Sequence, residues 1–216
     1  MKSWKYLTLA VPFLLVAALS AALAADDKKD DKKDDKKDDV KLDKMEDNEY
    51  YPLKEGSVWH YKLGDAKFRL KATKKEDFKG KQAWRLEMIG EGDRAMSFEH
   101  IFPTKDSVIR LGFEDNKAEP PVVFLMNKTG EKWDVNSTIG KEKLKGEFKS
   151  SEEKDVKVGD KTYDKVIVTT GDDIDGGGMK FSFKTYFAKD VGMVKQTIKM
   201  SNQEVVIELE KYEPGK

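Results

Sequence analysis

Beyond residue 50 the chain alternates apolar and polar positions with a period of two. Trp59, Tyr61 and Leu63 form one such set, followed by Phe68, Leu70 and Ala72, then Trp84, Leu86 and Met88, and near the end Val205, Ile207 and Leu209. Charged residues such as Lys67, Arg69 and Lys71 occupy the intervening positions, which is the signature of strands with one buried and one wet face. Turn residues separate the runs at hairpin spacing: Gly64-Asp65, Lys79-Gly80, Gly90 to Asp93, Gly159-Asp160, Gly176 to Gly178 and Ser201-Asn202. The pattern predicts an all-β antiparallel domain over 46–216, with about a dozen strands. Val122 to Met126 is apolar without alternation, as expected of a segment buried on both faces or crossing a closed end.

No stretch after residue 45 shows apolar spacing of three and four over a dozen residues, so no amphipathic helix is available to cover the sheet. The apolar face must then be buried by the sheet itself. Either the sheet closes as a barrel or sandwich, or a curved half-barrel leaves a concave apolar cavity for a ligand or partner.

The first 45 residues follow different rules. Lys2 and Lys5, the apolar run Leu7 to Leu19, and Ala22-Leu23-Ala24 have the three parts of an export signal, predicting residues 1–24 as a leader cleaved before Ala25. The apolar run falls short of the roughly 20 residues that a membrane-spanning helix needs. Asp26 to Asp39 then repeats DDKK. On a helix this period of four would stack Asp on Asp and Lys on Lys, each like pair costing a few tenths of a kcal/mol. With nothing apolar to bury, residues 25–45 are expected to form a disordered charged linker.

Composition narrows the classes. Lys plus Arg and Asp plus Glu are equal at 41 each, and charged residues make up 38% of the chain. Mixed, balanced charge predicts no dedicated nucleic-acid surface. The chain contains no cysteine, which excludes disulfides, thiolate metal sites, a cysteine nucleophile and acylated-cysteine anchoring. An exported product, periplasmic or extracellular, without a lipid anchor or a transmembrane segment after cleavage is the expectation.

Three short motifs carry a resemblance. Tyr51-Pro52-Leu53-Lys54-Glu55-Gly56-Ser57-Val58-Trp59-His60-Tyr61 opens the domain, Tyr186-Phe187-Ala188-Lys189-Asp190-Val191-Gly192-Met193-Val194-Lys195 joins two strands near its end, and Leu209 to Tyr212 closes it. On these the chain resembles an uncharacterised family of bacterial exported β-sheet proteins, which are themselves similar to the half-barrel lipoprotein carriers of the outer-membrane sorting pathway. At Val156 to Tyr163 the chain lacks the Pro and Ala that family members tend to carry. The resemblance implies fold and location, and no activity. Gly56, Trp59, Tyr61 and Gly192 have structural explanations: positive φ at chain reversals for the glycines, and a shared core face for the aromatics.

Candidate chemistry is sparse. His60 and His100 are the two histidines, neither with a second histidine at metal-ligand spacing. His100 shares a strand face with Met96, Phe98 and Phe102, which places it in or beside the core as a neutral ring. In an open cavity it would pair with Glu87 or Glu99 for general-base hydrolysis. Gly171 to Gly178 fails the calcium-loop pattern, with Gly171 at the first ligand position and Ser182 at the closing glutamate position. The expectation is therefore a non-catalytic binding module with no metal and no cofactor. Its ligand would be a lipid or other apolar or amphipathic molecule, or an envelope protein partner, held on a concave face carrying Phe98, His100, Phe102 and Phe183. A hydrolase built on His100 and a purely structural envelope domain are the alternatives.

Overall fold

A computed structural model describes residues 42–216; the predicted leader and the DDKK tract lie outside the described residues. Twelve antiparallel strands form one closed barrel. They are β1 (Val58–Leu63), β2 (Ala66–Phe78), β3 (Lys81–Ile89), β4 (Ala95–Pro103), β5 (Ser107–Phe113), β6 (Asn116–Met126), β7 (Lys132–Ile139), β8 (Glu142–Val158), β9 (Lys161–Gly176), β10 (Met179–Ala188), β11 (Gly192–Met200) and β12 (Gln203–Glu213). Each strand pairs with the next, and β1 pairs with β12 to complete the ring, from Val58↔Glu213 to Leu63↔Ile207. No helix occurs among the described residues. Of the two ways to bury the apolar face, the structure takes closure.

The anticipated turns fall where the glycines stand. Gly177 and Gly178 both have positive φ, +61° and +87°, and form the reversal between β9 and β10, the geometry that two-residue hairpins favour. The outer wall is laced with cross-strand ion pairs such as Lys62–Glu208, Lys67–Glu210, Lys132–Glu147 and Lys199–Glu204, each worth little in water.

Inside, Trp59, Tyr61, Phe68, Leu70, Ala72, Trp84, Leu86 and Met88 join one large cluster with Ile101, Val108 and Leu125. A second interior cluster centres on Leu144, Phe148, Ile174 and Phe183. A third lies on the other side of the wall: Phe78, Ala83, Phe102, Ile109 and Leu111, with Leu42, Met45 and Val123 packed on them. Here β5 is buried on both faces, Val108 and Arg110 on one and Ile109 and Leu111 on the other. The unbroken apolar run Val122 to Met126 has the same cause, since Val122 and Leu125 join the interior while Val123 joins the outer cluster.

The segment before β1 links the two sides. The Glu46 amide donates to Pro103 O at 2.9 Å, and Asn48 Nδ2 donates to Thr104 O at 2.9 Å. Tyr50, Tyr51 and Leu53 then enter the main interior cluster. The motif aromatics hold the facing turn: Trp59 Nε1 donates to Val191 O at 2.6 Å and Tyr61 Oη to Met193 O at 2.8 Å. Gly192, at φ +98°, passes so close that a Cβ would sit 3.2 Å from Trp59 Nε1. Gly56, at φ +83°, donates its amide to Ala72 O at 2.8 Å.

Gly146 and Gly171 make room for one side chain. A Cβ on Gly146 would lie 2.3 Å from Ile174 Cδ1, and one on Gly171 would lie 2.4 Å from Phe183 and 2.8 Å from Ile174. Gly171→Ala should therefore destabilise the barrel by about 1–3 kcal/mol through overpacking, read as a lower midpoint in chemical denaturation. An unchanged midpoint would contradict this packing.

Candidate functional site

The barrel interior holds a cavity of about 50 Å³. Phe124, Phe148, Phe183 and Phe187 line it, with Tyr51, Leu70 and Met193. Their rings meet edge-on, Phe148 with Phe183 at 4.9 Å and Tyr51 with Phe124 at 5.6 Å between centroids. Four polar side chains share this lining: Glu99, Arg110, Thr185 and Gln196.

Glu99 and Arg110 form a buried ion pair, Arg110 Nε to Glu99 Oε2 at 2.6 Å, with the carboxylate side chain 1% exposed and the guanidinium 9%. Glu99 comes from β4 and Arg110 from β5, next to the register shift between His100 and Ile101. Burial pushes the Glu99 carboxyl up to about 7, against the opposing charge and hydrogen bond of Arg110. Its Oε1 has no partner and is sealed from solvent. The Arg110 guanidinium also lies 5.4 Å from the Phe124 ring centroid. Beside the pair, Gln196 Nε2 donates to Thr185 Oγ1 at 2.9 Å, leaving Gln196 Oε1 without a partner. Tyr51 faces the same charges, and burial first, then Glu99, hold its hydroxyl well above the usual tyrosine range.

Of the residues anticipated on a concave face, Phe183 lines this cavity. Phe98, His100 and Phe102 do not, because β4 presents them to the outer side of the wall, and the four are not brought together. His100 stacks on Phe78 at 3.8 Å and meets Phe98 edge-on at 5.6 Å, while Phe102 belongs to the outer cluster. The partner of His100 is Glu76, Nε2 to Oε1 at 2.9 Å, and not Glu87 or Glu99. Glu87 bonds Arg85, whose guanidinium covers Phe98 at 3.5 Å. Burial raises the Glu76 carboxyl, but hydrogen bonds from Lys74, His100 and Arg85 outweigh it and hold the group at about 2. An ionised Glu76 only accepts, so Nε2 carries the His100 proton and Nδ1 is left as a buried acceptor without a partner. Burial lowers the His100 pKa.

Sequence reasoning missed Arg110 and named Glu99 only as a partner of His100. The alternation Met96, Phe98, His100, Phe102 marked the wrong face of β4 as interior, because the outer face is also covered. Thr73 is the cause two strands earlier: the register shift between Ala72 and Lys74 reverses the facing of the rest of β2 and brings Glu76 and Phe78 onto His100. The available signal was Arg110 itself, one of four arginines, set within Val108-Ile109-Arg110-Leu111.

One seam of the wall beside the cavity is nearly unzipped. β6 and β7 pair only at Ala118↔Ile139 and Glu119↔Thr138, since Pro120 and Pro121 have no N–H to continue the ladder. Beyond them side chains bridge the gap: Ser137 Oγ donates to Pro120 O at 2.6 Å and Trp133 Nε1 to Val123 O at 2.9 Å. Trp133 also packs edge-on against the cavity residue Phe148 at 6.0 Å.

No family model matches the chain, and no curated protein does. Among solved structures, a putative lipoprotein from Parabacteroides distasonis ATCC 8503 superposes over 78% of this chain and 100% of its own, at 9% identity and a TM-score of 0.51. A putative exported protein with a YmcC-like fold from Bacteroides fragilis NCTC 9343 matches 76% of this chain and 98% of its own, at 8% identity and a TM-score of 0.43. At such identities the first match shows a shared fold.

Glu76 stays ionised in the fold far below its ordinary pKa, so its stabilisation is present above pH 4.5 and lost as pH falls toward 2. Glu76→Gln should lower stability at pH 7, and its deficit against the native chain should shrink across that acid range in denaturant titrations. At the seam, Trp133→Phe removes the donor to Val123 O and should cost about 0.5–1.5 kcal/mol. Hydrogen exchange should accelerate at Val122 to Met126 ahead of the fully paired strands, and uniform acceleration would refute the seam.

Proposed function

We propose that the protein is an exported, non-catalytic binding module that takes a compact apolar or amphipathic ligand into its barrel. The observation that carries this reading is a charged pair buried in an aromatic-walled cavity. Removing each of two such ions from water costs several kcal/mol, and a barrel filled with apolar residues would be at least as stable. A polar group retained there serves a head group. The 50 Å³ of the cavity is well below the roughly 300–1,000 Å³ of pockets for drug-sized molecules, so the closed barrel suits a ligand of few heavy atoms. A longer one requires the seam between β6 and β7 to part.

Export rests on the leader-like residues 1–24 and agrees with the naming of the Parabacteroides fold relative as a putative lipoprotein. This chain has no cysteine to take a lipid anchor. The non-catalytic reading is supported by the position of His100, packed under Phe78 on the outer side and bonded to Glu76.

Native mass spectrometry of the full chain purified from its own envelope should show a small molecule released on denaturation. The emptied chain should gain about 5–10 °C in Tm with a hundredfold excess of a matching ligand over its Kd, and His100→Gln should leave that gain unchanged. An empty chain that also fails to respond to apolar, neutral polar, anionic and cationic compounds would overturn the proposal.

A further inference from the structure

We infer that the head group read in the barrel is a carboxylate, seated on the Arg110 guanidinium with its apolar body against Phe124, Phe148 and Phe183. This deepens the binding proposal and rests on it. Arg110 uses Nε for Glu99, and its two Nη groups donate to no acceptor among the described residues although the side chain borders the cavity. A guanidinium with free, coplanar donors is the protein group best matched to a carboxylate. Two unpartnered acceptors, Glu99 Oε1 and Gln196 Oε1, would instead suit an ammonium, but both atoms are fully buried, whereas no Arg110 nitrogen is among the buried atoms that lack a partner. The guanidinium is the charged surface a ligand meets.

An anion arriving beside an ionised Glu99 would be repelled, and the surroundings supply the remedy. The groups facing the pair are Tyr51 from the segment before β1, Thr185 from β10 and Gln196 from β11. Thr185 and Gln196 are uncharged, and the Tyr51 hydroxyl keeps its proton. Glu99, already raised to about 7 by burial, is therefore the group that changes charge. The ligand carboxylate and one proton enter together: the carboxylate accepts from Arg110, and the proton resides on the Glu99 carboxyl. Affinity is then highest below pH 7 and declines above it, by roughly tenfold between pH 6 and pH 8 for one linked proton.

The test is calorimetric titration of the full chain with acetate and propionate, with acetamide and propionamide as neutral isosteres and ethylammonium and propylammonium as cations, all small enough for a closed cavity of about 50 Å³. At pH 6 each carboxylate should bind at least tenfold tighter than its amide, and about tenfold more weakly at pH 8, with proton uptake visible as a dependence of heat on buffer. Glu99→Gln, which preserves shape, should bind carboxylates as well at pH 8 as at pH 6. Arg110→Met should lose the preference for carboxylate over amide. Amides that bind as well as carboxylates, ammonium ions that bind better, or a native affinity independent of pH would overturn the carboxylate assignment while leaving interior binding intact. Binding by none of the probes would count against both.

Discussion

A sheet with an apolar face and no helix to lay on it must cover that face with itself, and everything else in this molecule follows from that constraint. Twelve strands joined in chain order meet it by closing, with β1 hydrogen-bonded to β12. Closure removes the exposed edges that would otherwise recruit other strands. It also encloses a volume that side chains have to fill. Aromatic residues do most of this, through edge-on contacts among Tyr51, Phe124, Phe148, Phe183 and Phe187. They leave a residual cavity where the polar quartet sits.

Interior residues are also anchored by hydrogen bonds. Trp59 and Tyr61 bury large rings and use their N–H and O–H on the carbonyls of Val191 and Met193, so the same residues that fill the barrel hold its end turn. Buried tyrosine and tryptophan need such partners. Glycine enters where a neighbour must come close, as at Gly192 beside Trp59 and at Gly171 under Phe183. The motifs by which the chain resembles an exported β family are accounted for by these contacts, which is why they speak to fold and not to activity.

The Glu99–Arg110 pair departs from that economy. Its 2.6 Å bond satisfies one oxygen of the carboxylate, while the other has no partner; a buried acceptor left so costs about 1–3 kcal/mol or more. The near-unzipped β6–β7 seam lies next to the same cavity, closed by the Trp133 and Ser137 side chains where prolines interrupt the ladder. A buried ion pair and weak strand pairing thus meet at one interior site, whereas in the outer cluster Glu76 accepts from His100 and pairs with Lys74 and Arg85, and His100 stacks on Phe78.

Period-two alternation from Trp59 to Leu209, and the glycine and asparagine turns between the runs, determined the strands, their antiparallel order and the absence of helices among the described residues, because a strand's two faces are encoded in successive residues. The sequence likewise narrowed the outcome to a closed barrel or an open half-barrel. It did not determine which face of β4 points inward. Phe98, His100 and Phe102 are covered from outside because Phe78, Leu42, Met45 and Arg85 lie on the outer wall, and that covering depends on a register shift in β2 and on contacts between residues on different strands and in the segment before β1. Glu99 and Arg110 become neighbours only through the β4–β5 register. Local alternation states that a strand has two faces; only the closed tertiary structure decides which of them is inside.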